Sequence, residues 1–416
     1  MEKKTKLSIC IPTYNRAAFL RFLLTTFVEQ KVIDFPYEIV ISDNASTDDT
    51  ATVVEEFLLQ GLPIKYCRRD VDGGGWPNLA NAYQQAVGEY ALYLADDDLL
   101  NFQNLRAAIV YLNINPETVA CYAPWTMYDA IDQVDLSLFY TIEKNRKFSR
   151  RSFSDVFDFM TKRHIFPEIA IYRTSALRSA FVPKDFCFWA FSHLAHLLDV
   201  GAVAFLDKPF YRSVVRTAVV RDRAQAGNDE AMTGWDRYRG GLEYFLYLGS
   251  KRGQIDLSPA KSTQYEEACK VFTMRRMSVA LRMWFERGEY IKAYEIFARM
   301  CYGGGSQHPE IQGLRERLPL MVAVQTLAQK VNAASSLKYL ILDQVSSVDS
   351  LASLLLEVGL NNNITILPAP TEHTPEITSA AAVFTSSAAG RDTFLDNGYR
   401  PNMVFCESDM VSSVVT

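Results

Sequence analysis

The chain has 416 residues, of which 49% are hydrophobic, 22% charged and 12% aromatic, with a formal net charge of −5. That length calls for two or three domains, and that composition excludes long disorder. A slightly acidic chain with no basic stripe excludes nucleic acid as a partner, and no apolar run approaches the roughly 18 residues of a membrane span.

The first six residues, Met1 to Lys6, are charged and lead straight into a strand-like stretch, so a cytoplasmic chain is expected. The reading leaves room for peripheral membrane association and for a homodimer. Seven scattered cysteines without a CxxC pair (Cys10, Cys67, Cys121, Cys187, Cys269, Cys301, Cys406) read as small core residues. Five histidines without ligand spacing argue against zinc.

In chain order, Leu7–Ile11 is a β-rich run stopped by Pro12, and Ala17–Lys31 carries a helical apolar face. Glu38–Ile41 is a second strand, and Ser46 with Asp49 predicts an N-cap for a helix running through Leu58. Ile64–Cys67, Asn78–Val87 and Tyr90–Leu94 continue as strand, helix and strand. The βαβα order predicts a largely parallel, doubly wound sheet, with ligands gathered at its carboxyl edge. A helix near Gln103–Leu112 and a strand near Val119–Ala123 follow. Residues 230–335 read as helical, with Glu266–Phe285 and Tyr290–Met300 clearest. Alternation resumes with strands at Leu337–Leu342, Ile364–Leu367, Ala380–Phe384 and Met403–Cys406 and a helix at Val348–Val358. The expected domains are 1–225, a helical region 226–335, and a small α/β domain 336–416.

Three chemistry-bearing segments each follow a strand. Pro12-Thr13-Tyr14-Asn15-Arg16 can turn amides and an aromatic ring toward a nucleotide, or serve as a plain strand-to-helix loop. Asp43 with Asn44 can accept from a base or ribose, or only shape the turn before Ser46. Asp96-Asp97-Asp98 concentrates three like charges after a buried strand. A divalent cation, Mg2+ or Mn2+, relieves that repulsion and neutralises a diphosphate leaving group; the alternative is a solvated acidic cap.

Together these segments resemble the family 2 glycosyltransferases of the GT-A fold. The matching residues are Pro12-Thr13-Tyr14-Asn15-Arg16, Asp43-Asn44-Ala45-Ser46-Thr47-Asp48, and Gly88-Glu89-Tyr90 followed by Asp96-Asp97-Asp98. Gly73-Gly74-Gly75-Trp76-Pro77-Asn78 resembles the family's Gly-rich turn, and the likeness spans roughly residues 5–115. The resemblance implies that Pro12, Thr13, Tyr14, Arg16, Asp43, Asn44, Gly74 and Asn78 line the nucleotide-sugar site. It gives Asp96 and Asp97 to ribose and metal, with Asp97 and Asp98 as metal ligands, the triple aspartate leaving the register open by one.

Past residue 115 the likeness thins. The family's acidic pair is missing before Gly201, which leaves Asp185 and His193 as catalytic candidates and Glu168 behind them. Tyr211-Arg212-Ser213-Val214-Val215-Arg216 stands where the family has Tyr-Arg-x-x-His, so Arg212 and Arg216 become candidate diphosphate clamps. Trp125 is a candidate acceptor-sugar platform, and Thr385 to Gly390 a small-residue turn able to approach a ligand.

The resemblance therefore implies a metal-assisted, inverting transferase. Its donor would be a UDP-, GDP- or dTDP-sugar, and its acceptor a glycan, lipid-linked or protein hydroxyl in surface polysaccharide or glycoconjugate synthesis. The alternatives are a degenerate domain kept as a binding scaffold and a sugar-phosphate nucleotidyltransferase. The latter should open with a Gly-rich loop bearing Arg or Lys, where this chain has Pro-Thr-Tyr-Asn.

Overall fold

The structure, a computed structural model, describes residues 4–29, 33–180, 186–219 and 226–412. The chain divides into two compact units: residues 1–225 with 236–272, and residues 226–235 with 273–416.

The first unit begins with β1 (Leu7–Thr13), α1 (Ala17–Glu29), β2 (Tyr37–Asp43), α2 (Thr50–Leu59), β3 (Ile64–Arg68), α3 (Gly75–Gln85) and β4 (Tyr90–Tyr93). It continues through β5 (Leu99–Leu100), α4 (Phe102–Ile114), β6 (Thr118–Tyr122), β7 (Trp125–Asp129), β8 (Val134–Leu138) and β9 (Arg146–Phe148). After α5 (Phe153–Arg163) come β10 (Ala170–Arg173), α6 (Thr174–Ser179), α7 (Trp189–Val200), β11 (Ala202–Phe205) and β12 (Tyr211–Arg216). The main sheet has the order β3-β2-β1-β4-β10-β6-β11-β9, and a second sheet the order β5-β12-β7-β8.

The first four strands are parallel, as the alternation predicts. Strand β10 departs from that pattern, lying antiparallel between β4 and β6. Its short apolar run, Ala170 to Arg173, carries no signal of direction. Buried Leu7, Ile9 and Ile11 of β1 and Ile39, Val40 and Ile41 of β2 put the core between this sheet and its covering helices. Gly88 leads into β4 where β1 passes closely; a Cβ there would lie 2.7 Å from the Ser8 amide nitrogen.

Two local expectations need correction. Pro12 does not end β1, which runs on to Thr13 opposite Asp43. The backbone groups of residues 8, 10 and 12 face β4, and that ladder ends where the Leu94 amide donates to the Cys10 carbonyl. Ser46 does not cap α2 either. The helix starts at Thr50, and the Asp48 carboxylate accepts from the Thr50 amide at 3.1 Å.

The second unit holds α8 (Ala226–Thr233), and the division itself falls near the start of α9 (Trp235–Lys251) and inside α10 (Pro259–Glu286). After α11 (Tyr290–Met300), α12 (Pro309–Leu314) and α13 (Arg317–Asn332) come β13 (Tyr339–Asp343), α14 (Val348–Glu357), β14 (Thr365–Pro368), α15 (Pro375–Ala380), β15 (Ala381–Thr385), α16 (Ala388–Asp396) and β16 (Val404–Cys406). Its parallel sheet, ordered β14-β13-β15-β16, packs Ile341, Val383, Phe394 and Val404 into one core. All seven cysteines are free, five of them buried. Among the described residues no helix is long and apolar enough to cross a membrane.

Candidate active site

Strands β1, β2 and β4 end at one edge of the main sheet, and their loops interlock there. The Thr13 hydroxyl, buried, donates to Asp96 Oδ2 at 2.7 Å. Asn15 adopts a left-handed backbone (φ 52°), which turns its carboxamide oxygen to the Thr47 amide at 2.7 Å. Its own amide donates to Ser46 Oγ at 2.9 Å. These bonds fix the β1 loop against the β2 loop and leave the Tyr14 ring 43% exposed.

Asp96, Asp97 and Asp98 are all buried, at 4%, 6% and 7% exposure. A buried carboxylate must be paired or protonated. Arg16 pairs two of them: its guanidinium contacts Asp97 Oδ2, and its Nε lies 3.4 Å from Asp96 Oδ1. Burial still pushes the Asp96 carboxyl up to about 7, with Arg16 opposing the rise and Asp97 adding to it. Asp98 accepts from two donors of β12. The Tyr211 hydroxyl reaches its Oδ2 and the Val214 amide its Oδ1, each at 2.8 Å. Tyr211 also accepts from the Ala95 amide at 3.2 Å, so β12 clamps the acidic turn at two points.

Beside this cluster, Asp43 is fully buried. It accepts from the Ser46 amide at 2.8 Å and the Tyr66 hydroxyl at 2.5 Å, with Arg68 Nε 3.7 Å away. Asn44 accepts from Arg69 at 2.7 Å and from the Gly73 amide at 3.1 Å. Gly74, at φ 85°, starts α3 in a conformation that L side chains rarely adopt. Asn78 of α3 donates to the Thr13 carbonyl at 3.1 Å and the Ser42 carbonyl at 2.9 Å. Asn78 thus ties β1 to β2 through its carboxamide. Tyr66, Arg68 and Arg69 went unnoticed in the sequence because only the β2–β3 register brings them to Asp43 and Asn44.

The candidates from the second half separate. Asp185 lies outside the described residues. His193 on α7 packs against Tyr172 (ring centroids 5.1 Å) in mid-β10, level with Ala91 of β4 rather than with the strand ends. Burial first, then His196, pulls its pKa down to about 3, which makes it a feeble proton acceptor. Glu168, half-buried, enters β10 just beyond the ends of β4 and β6, since Ile171 pairs with Leu92 and Cys121. The Tyr93 hydroxyl registers this crowding. Burial first, then the charges of Asp98, Asp96, Asp97 and Glu168, hold its pKa far above the usual phenol value.

Arg212 forks onto Asp135 with two 2.8 Å bonds, and Arg216 binds Asp129 at 2.5 Å and Asp132 at 3.2 Å. Both guanidinium groups are thus engaged by carboxylates of β7, β8 and their turn. Trp125 is buried beneath Phe139, stacked at 4.3 Å, so the exposed ring at that position is Phe139.

A divalent cation would find two kinds of carboxylate here. Among the described residues no group of three or more His, Cys, Asp or Glu is placed to hold a metal alone. Asp98, expected beside Asp97 as a ligand, has each oxygen committed to β12. Asp96 and Asp97 remain a two-carboxylate donor set, which suits Mg2+ or Mn2+ completed by phosphate oxygens.

A parallel sheet half whose carboxyl edge carries this acidic turn defines an α/β domain with its candidate site at that edge. Residues 8–181 match the model of Glycosyl transferase family 2. The chain is 33% identical over 127 residues to the abequosyltransferase RfbV of Salmonella typhimurium, covering 30% of this chain and 38% of that protein. It is 33% identical over 112 residues to the poly(ribitol-phosphate) beta-N-acetylglucosaminyltransferase TarS of Staphylococcus aureus, covering 26% and 19%. The chain thus spans well under half the length of either relative. A crystal structure of TarS residues 1–349 with UDP-GlcNAc is similar at 19% identity and TM-score 0.48, covering 79% of this chain and 88% of that one.

Proposed function

We propose that the first unit transfers a sugar from a nucleoside-diphosphate-sugar to an acceptor hydroxyl, with inversion at the anomeric carbon. The observation that carries this reading is the meeting of Thr13, Arg16 and the paired Asp96 and Asp97 at the carboxyl edge of β1, β2 and β4. Tyr14 offers its exposed ring to the base. Asp43, itself fully engaged, holds Tyr66 and Arg68 around the base pocket, while Asn44, Gly74 and Asn78 keep the surrounding loops in place. Asp96 and Asp97 would hold a divalent cation, which when bound neutralises charge on the departing diphosphate.

Glu168 is the proton acceptor for the attacking hydroxyl. Its position at the edge of the acidic turn favours it over His193, which packs in mid-β10. The relatives are named as an abequosyltransferase and a poly(ribitol-phosphate) beta-N-acetylglucosaminyltransferase, which favours a role in glycan synthesis.

Thermal stabilisation by UDP, GDP, dTDP, CDP and ADP, with and without Mn2+ or Mg2+, tests the donor reading. A ligand at a hundred times its dissociation constant adds about 2.7 kcal/mol. Metal-dependent stabilisation by one nucleotide, lost in Asp97→Asn, supports the reading; silence across the panel overturns it. Glu168→Gln should lower kcat by about 10²-fold or more while leaving nucleotide affinity intact.

A further inference from the structure

We propose that Arg16 is a built-in counter-ion that occupies the cation position of Asp96 and Asp97, so that a divalent metal must displace it to bind. The proposal rests on the reading of those two aspartates as the metal-holding pair, and concerns what this chain does before the donor arrives.

Three buried carboxylates need compensation. Asp98 accepts hydrogen bonds from Tyr211 and Val214 of β12. Asp96 accepts one from Thr13. Arg16 brings positive charge to both Asp96 and Asp97. The side chains of Asp96 and Asp97 are 5% and 7% exposed, whereas Arg16 is 33% exposed. The guanidinium therefore sits over the pair from the solvent side, along the approach of any incoming cation.

A metal ion bound to these carboxylates would share their oxygens with a fixed positive charge a few ångströms away, and two like charges at that range repel strongly in a partly buried site. The arginine is built to yield. It precedes α1, and its guanidinium stacks on the Phe19 ring at 4.7 Å, a contact that steadies the group without holding it to the carboxylates. A diphosphate arriving with its metal offers the displaced guanidinium a planar, doubly accepting partner. The expected order is weak metal binding by the free protein and strong binding by the metal–nucleotide pair.

The test is a Mn2+ titration of the full chain, with free Mn2+ followed by electron paramagnetic resonance, first without nucleotide and then with UDP and separately with GDP. Arg16→Gln should tighten Mn2+ binding about tenfold or more in the nucleotide-free protein, because the competing charge is gone. Arg16→Lys, which keeps the charge, should stay near wild type. Nucleotide should tighten Mn2+ binding more in wild type than in Arg16→Gln. Asp97-dependent Mn2+ binding that Arg16→Gln leaves unchanged or weakens overturns this inference alone. Mn2+ binding indifferent to Asp97→Asn overturns both the inference and the metal reading beneath it. A crystal structure of the wild-type protein with Mn2+ and UDP gives a readout independent of the variants. Arg16 is expected to have left Asp97; guanidinium and metal together on Asp97 overturn the proposal.

Discussion

Tyr211→Phe removes a single oxygen atom, yet it should be among the costlier conservative changes in the first unit. The hydroxyl donates to Asp98 at 2.8 Å and accepts from the Ala95 amide at 3.2 Å, and Tyr211 is 2% exposed. Its loss leaves a buried carboxylate oxygen and a part-buried amide each short of this partner. Leaving a buried polar group unpaired costs about 1–3 kcal/mol, so the pair should cost roughly 3 kcal/mol. In a unit of this size that corresponds to a fall of roughly 5–10 °C in Tm. Thermal melting of wild type and variant reads the magnitude, and amide hydrogen exchange at Ala95 reads the mechanism. A Tm within about 1 °C of wild type, with unchanged protection at Ala95, would refute the claim that β12 anchors the acidic turn.

Three further outcomes follow from the geometry. Arg212→Ala and Arg216→Ala should leave nucleotide affinity within about twofold of wild type in calorimetric titration, because their guanidinium groups serve Asp135, Asp129 and Asp132. His193 has its pKa drawn down to about 3 by burial, so between the ordinary histidine pKa and that value the unfolded chain binds a proton that the folded chain refuses. Stability from this residue therefore falls as pH drops below about 6.5, by about 2 kcal/mol at pH 5, and His193→Leu should flatten that slope in urea unfolding. Gly88→Ala would place a methyl 2.7 Å from the Ser8 amide nitrogen and should cost about 1–3 kcal/mol in the same assay.

The parallel half of the sheet could be read from the sequence because each of its strands is an apolar run closed by a turn signal, with an amphipathic helix behind it. Hidden from that reading was everything set by pairing across long separations. Nothing in Ala170 to Arg173 announces that β10 runs backwards between β4 and β6. Three adjacent aspartates look equivalent in one dimension. Tyr211, 113 residues away, distinguishes Asp98 from its neighbours, and Arg16 marks out the other two. The carboxylate partners of the two β12 arginines were equally hidden, because only the β7–β8 hairpin and its turn bring them close.

The backward strand also sets a schedule for synthesis of the protein. Strands β3, β2, β1 and β4 can assemble from the first hundred residues, but the outer side of β4 stays an open edge until residues 170–173 have left the ribosome. Roughly eighty residues, including all of β6 to β9, must be translated while that edge waits, and at about 5–20 residues per second the interval is several seconds. An open parallel edge is a template for wrong partners. A nascent chain of this protein should therefore be most vulnerable to aggregation, and most dependent on chaperones, in the window that closes when β10 emerges.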